Sequence, residues 1–258
     1  MSTEGTLDYA LTRVYARHGQ RLDEAAWRRL EASRDLGVYL AAVRSSELAD
    51  WVSSFDAEHD CHTIERALRA QWPRYVDTVA AWHPQAWQAW LAWLAWLPAL
   101  SLLAQMARPE PAPAWMLADT VYGPLAPGTP EERAAALANT ALAPLEPALA
   151  GRSSPGAAWS AHWQTLWPRS DARTQYCLDV LLQTMERHEQ DLLRAADTAD
   201  TAEPLRSELA IRMQRLLRIA EGTVIVTVCH LALVALDLER LRGGLARRCL
   251  FSDQAERR

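Results

Sequence analysis

Lysine is absent: all 27 basic residues of the 258-residue chain are arginine. Arginine keeps its charge at any physiological pH, and its planar fork pairs with carboxylates more effectively than an ammonium. Cysteine is scarce. Cys61, Cys177, Cys229 and Cys249 lie far apart in helical contexts, which excludes a disulfide framework or a zinc ribbon and fits a reducing compartment. The opening residues MSTEGTLDYA lack the basic and apolar regions of a secretory signal, so a cytoplasmic protein is expected. The uncharged run from Gly222 to Leu236 has fifteen residues, short of the roughly 20 that span a bilayer. Walker loop, dinucleotide fingerprint and Gly-x-Ser-x-Gly elbow are all missing, so the sequence predicts neither catalytic residues nor a cofactor. A net charge of -5 argues against general nucleic-acid binding, which calls for a basic surface.

What is present is helical. Half the residues are hydrophobic and 23% are charged, an ordinary globular composition. Leu7, Leu11, Val14 and Tyr15 mark one face of a first helix that ends near Gly19. Asp23 is placed to cap a second helix with Trp27 and Leu30, and Asp35–Arg44 reads as a third. A longer polar helix from about Asp56 to Trp82 contains Pro73, which is expected to kink or divide it. Next, Trp87, Trp90, Trp93 and Trp96 recur every third residue, a period that winds slowly around an α-helix. The run suits a stacking platform or an interfacial anchor, but without basic flanks or terminal aromatic belts, packing is the preferred reading.

Between Arg108 and Gly156 the chain turns rich in Pro, Ala and Gly, with one helix start at Thr129-Pro130-Glu131-Glu132. Amphipathic stretches resume at Asp171–Ala196 and Pro204–Ala220. The final stretch, Glu221–Leu250, joins β-branched Thr223–Val228 to a helical pattern of Leu231, Val234, Leu238 and Leu241; one buried helix is expected throughout. The expected fold is therefore all-α, a multi-helical two-lobed bundle. Residues 1–107 form the N-terminal lobe, 108–156 a Pro-rich connection with a short helix, and 157–258 the C-terminal lobe.

The most tempting chemical cluster is His59-Asp60-Cys61-His62, in which two imidazoles three residues apart could face one metal beside a soft thiol. The linear sequence supplies no further ligands and a helix start explains the same residues, so no metal is expected. A helical metalloprotein using His59 and His62 stays as an alternative. His230, inside an apolar run, reads as a hydrogen-bonded core histidine.

Leu238-Glu-Arg-Leu-Arg242-Gly-Gly244 resembles the closing helix of the C/AC39 subunits of V-type rotary ATPases, with Asp237 where that family usually has glutamate. Tyr9-Ala-Leu-Thr-Arg13-Val14, followed by Leu22, is similar to the family's opening helix. The resemblance covers about the first hundred and the last fifty residues, and family members are usually longer. It implies a non-catalytic connector between the central-stalk subunits and the membrane ring, peripheral to the inner face of the membrane. It also singles out Tyr9, Arg13, Arg17, Asp237, Arg240 and Arg242 as candidates for partner contacts. Salt bridges between neighbouring helices are the competing reading for the arginines. A generic helical scaffold for some other partner is the alternative function.

Overall fold

Capping chemistry opens the helices of the computed structural model, which describes residues 3–195 and 202–251. After α1 (Thr3–Gly19), the carboxylates of Asp23, Asp35 and Asp60 accept hydrogen bonds from first-turn amides of α2 (Glu24–Glu31), α3 (Leu36–Arg44) and α4 (Cys61–Ala81). Those amides have no partner within their own helix. Asp60 thus acts as a cap, as the helix-start reading of the His59–His62 tetrad expected. The chain continues through α5 (Gln85–Ala92), α6 (Ala99–Met106), α7 (Ala114–Leu117), α8 (Pro130–Leu137), α9 (Glu146–Leu149) and α10 (Pro155–Thr165). It closes with α11 (Ala172–Ala195), α12 (Ala202–Ile219) and α13 (Ile225–Phe251). No strand occurs among the described residues, and the fold is all-α.

The chain divides at different places from those its composition suggests. Residues 1–85 and 169–258 form one compact unit, and residues 86–168 a second. The ends of the chain share a core because α13 packs against α1, α3, α4, α11 and α12. A helix so enclosed can be apolar on every side. All residues from Thr223 to Leu231 are buried, and burial overrides the strand propensity of Thr223–Val228. Gly222, with φ of 79°, turns the chain out of α12, and the Thr223 hydroxyl accepts from the amide of Ile225 at the start of α13.

Pro73 does not divide its helix: α4 runs unbroken from Cys61 to Ala81. Ile64, Leu68, Trp72, Val76 and Val79 form one buried stripe across the proline, and this packing offsets a penalty of about 3 kcal/mol.

In the second unit the Pro-rich stretch is not a connection between lobes. It folds into α7, α8, α9 and short 3-10 turns, and α9 packs on α6 and α10. Thr129 and Glu132 cap α8 reciprocally, with Pro130 in its first turn, as the sequence predicts. The tryptophan run leaves the α conformation. After α5, Trp93–Trp96 forms a 3-10 turn, whose three residues per turn match the spacing of the indoles. Trp90, Trp93, Trp159 and Trp163 are buried, and the Trp90 and Trp163 rings stack 4.9 Å apart at 7°. These indoles are the unit's core.

The longest uncharged stretch is this one, residues 78–107, rather than the run from Gly222 to Leu236 that enters α13. Among the described residues no single helix is long and apolar enough to cross a membrane. Only the pair Gln85–Trp96 and Ala99–Met106, bent by 55°, reaches that apolarity together. Trp90, Leu91, Leu94, Leu103 and Met106 of that pair are buried within the protein.

Candidate functional site

A cleft of about 250 Å³ opens in the first unit where α1, the 3-10 turn Ala49–Val52, α4 and α13 meet. Each element contributes because its apolar face is committed to the core and its next residues turn toward the cleft. On α4, Trp72 and Val76 are buried while Tyr75 and Arg74 face the opening; on α13, His230 and Asp237 lie about two turns apart along the cleft.

His230 and Tyr75 form the floor. The phenol oxygen of Tyr75 and Nε2 of His230 are 2.8 Å apart, and Nδ1 of His230 has no hydrogen-bond partner among the described residues. Burial, reinforced by His18, Arg21 and Arg17, pushes the His230 pKa down to about 3. Burial also pushes the Tyr75 hydroxyl up to about 12. At neutral pH the imidazole is uncharged and the phenol keeps its proton, so one proton sits between Oη and Nε2. A general base works best with a pKa near the operating pH, which His230 does not have. The pair is suited to hydrogen-bonding a ligand without moving a proton.

Arg21 and Asp237 build the wall. The guanidinium donates through Nε to Oδ2 at 2.7 Å and through Nη2 to Oδ1 at 2.9 Å, a bidentate fork across 216 residues of sequence. Burial raises the Asp237 pKa, and the Arg21 hydrogen bonds oppose that rise. At the rim stand Arg17, Arg74, Glu47 and Asp50, all exposed and with side chains unbonded among the described residues. The rim therefore offers charge of both signs above a neutral floor.

Of the residues singled out by sequence, the fold brings Arg17 and Asp237 to this cleft. Tyr9 and Arg13 lie outside it: Arg13 donates to the Tyr9 hydroxyl at 2.9 Å and its guanidinium sits 4.3 Å above the Trp82 ring. Arg240 is held by Glu24 and Glu31, each at 2.7 Å, and covers the Trp27 ring. Arg242 pairs with Glu65 at 2.6 Å and with Glu239 at 3.4 Å. Both arginines thus bridge helices within the chain, the competing reading that the sequence left open. His59 is bonded through Nδ1 to Asp56 at 2.7 Å, and His62 is exposed. Among the described residues no group of three or more His, Cys, Asp or Glu is placed to hold a metal.

Sequence reading missed Arg21, Tyr75, Arg74, Glu47 and Asp50. None carries a local signature, because the cleft is assembled from segments separated by tens to hundreds of residues. His230 was visible as a histidine in an apolar run, but nothing nearby announced its phenol partner. Compared with protein-family models, with curated proteins and with solved structures, the chain matches none.

Proposed function

We propose that the chain is a non-catalytic helical binding protein that seats a polar segment of a partner protein in the cleft between α1, α4 and α13. The observation that supports this reading is the contrast within the cleft. Arg17, Arg74, Glu47 and Asp50 stand exposed and unbonded at the rim, while the groups with chemical potential, Tyr75 and His230, are held uncharged. Rim charges of both signs orient an incoming segment and speed its association, and a neutral hydrogen-bonding floor adds specificity. A volume of about 250 Å³ accommodates one or two side chains of such a segment.

Arg17→Glu combined with Arg74→Glu tests this reading, since both side chains are exposed and their reversal leaves the core untouched. The tagged double variant should lose the partner that copurifies with the parent protein. Arg29→Glu, an exposed change outside the cleft, should retain it. A folded double variant that keeps its full partner set overturns the cleft reading.

The narrower reading, a connector between the central stalk and the membrane ring of a V-type rotary ATPase, rests on the likeness of the terminal helices. One observation favours it: α1 and α13 pack together, and Arg21 just beyond the first motif grips Asp237 of the second. Deleting the protein should then abolish ATP-driven ion pumping while leaving ATP hydrolysis by the soluble sector. A deletion strain that pumps normally rules this version out, and the cleft reading stands or falls on its own test.

A further inference from the structure

We propose that the cavity beside Arg133 in the second unit is an anion site that takes the carboxylate or phosphate group of a small molecule. Arg133, on α8, is only 2% exposed, yet no ion pair to a carboxylate reaches it among the described residues. Its Nη1 donates to the carbonyls of Met106 and Arg108, at 2.8 and 3.0 Å, and its Nη2 to the carbonyl of Glu110, at 3.2 Å. These carbonyls are orphans: the first lies at the C-terminal end of α6, the others in the proline-rich turn that follows. The partial negative charge of a helix C-terminus offsets part of the cost of burying a cation. It does not satisfy the side chain.

A guanidinium has five N–H donors and cannot lose its charge. Three are used, and Nε is buried without a partner. The lateral edge formed by Nε and Nη2 matches two oxygens of one carboxylate or phosphate. Arg133 borders a cavity of about 270 Å³, room for several waters or one small organic anion. A second cation, Arg108, stands on the same wall. The one carboxylate there, Glu110, is exposed and does not pair with Arg133. A buried charge that is neither neutralised nor fully hydrogen-bonded, at the border of a cavity of ligand size, is the arrangement an anion would complete.

The test is calorimetric titration of the full chain with acetate and, separately, with inorganic phosphate at constant ionic strength. A saturable one-to-one isotherm is expected with at least one of them, and which one separates a carboxylate site from a phosphate site. Arg133→Lys keeps the charge but loses the fork, and Ala112→Phe fills the cavity from its wall; each should weaken binding by about tenfold or more. No saturable binding of either probe up to about 10 mM, or undiminished binding by a folded Ala112→Phe variant, overturns the proposal. Should neither variant fold, a crystal of the parent protein soaked in bromoacetate decides. A carboxylate within hydrogen-bonding distance of Arg133 Nε sustains the site, and bromine found elsewhere or not at all refutes it.

Discussion

A Cβ on Gly244 would stand 2.6 Å from the hydroxyl oxygen of Tyr39, a distance that no real side chain tolerates. Tyr39 is fully buried on α3, and the Arg248 guanidinium lies 3.8 Å over its ring. The same guanidinium donates to the carbonyls of Gly244, Glu31 and Ser33. Neither the phenol nor the arginine can retreat without breaking this arrangement, so α13 meets α3 where its own side chain is a hydrogen atom. Gly244→Ala should therefore destabilise the protein by about 1–3 kcal/mol through overpacking. Gly243 has nothing within 4 Å of the equivalent position. Gly243→Ala should instead be neutral or stabilising by up to about 1 kcal/mol, the gain in helix propensity. Urea unfolding midpoints of the two variants, moved in opposite directions, are the expected result.

The Arg21–Asp237 fork lies largely out of water, with side chains only 16% and 13% exposed. Removing one partner leaves an uncompensated charge, so Asp237→Asn should cost on the order of 3 kcal/mol. Replacing both, Arg21→Met with Asp237→Leu, should recover more than half of that loss, because two apolar groups need no counter-charge. A double-mutant cycle measured by chemical denaturation checks the coupling; simple additivity would contradict the pairing.

Histidines give the protein a stability slope in mildly acid solution. Burial holds His230, His83, His188 and His18 below their ordinary pKa of 6.5. The unfolded chain binds protons as pH falls through 6.5 while the folded chain does not, so stability drops with falling pH. For His230 the window runs from 6.5 down to about 3, and the loss reaches about 2 kcal/mol by pH 5. His230→Gln keeps a hydrogen-bonding group opposite Tyr75 without titrating. Its unfolding free energy should vary less than the parent's between pH 7 and 5, and an unchanged slope would show that His230 is not the group responsible.

Eight of the twelve tryptophans fall within residues 86–168, so indole fluorescence follows the second unit. Trp163 is fully buried, stacks on Trp90 and donates from Nε1 to the Trp90 carbonyl at 3.0 Å. Trp163→Ala should lower that unit's stability by about 3–5 kcal/mol. Trp96→Ala, at a half-buried position, should cost clearly less. The midpoint of the fluorescence transition in denaturant distinguishes them, and equal losses would mean that Trp96 is also a core residue.

Sequence alone determined the helical class and most of the helix starts, because both are local. Asp23 and Thr129 reveal themselves as caps by lying at a helix start, and each caps the helix expected of it, while Asp35, expected to open the third helix, stands one residue before it as its cap. The amphipathic stretches expected from Asp171 to Ala196 and from Pro204 to Ala220 match α11 and α12 closely for the same reason. Tertiary structure decided everything that depends on which segments meet. The proline-rich composition of residues 108–156 suggested a boundary, yet the units divide at 85 and 168 because the apolar α13 is covered from all sides by both ends of the chain. Enclosure also settled Thr223–Val228 as mostly helix and carried α4 through Pro73, in both cases because buried packing outweighs local propensity. The cleft lies wholly on this second side of the line. Tyr75 and His230 are 155 residues apart, Arg21 and Asp237 are 216 apart, and a hydrogen bond across such a distance leaves no periodicity or motif in either segment.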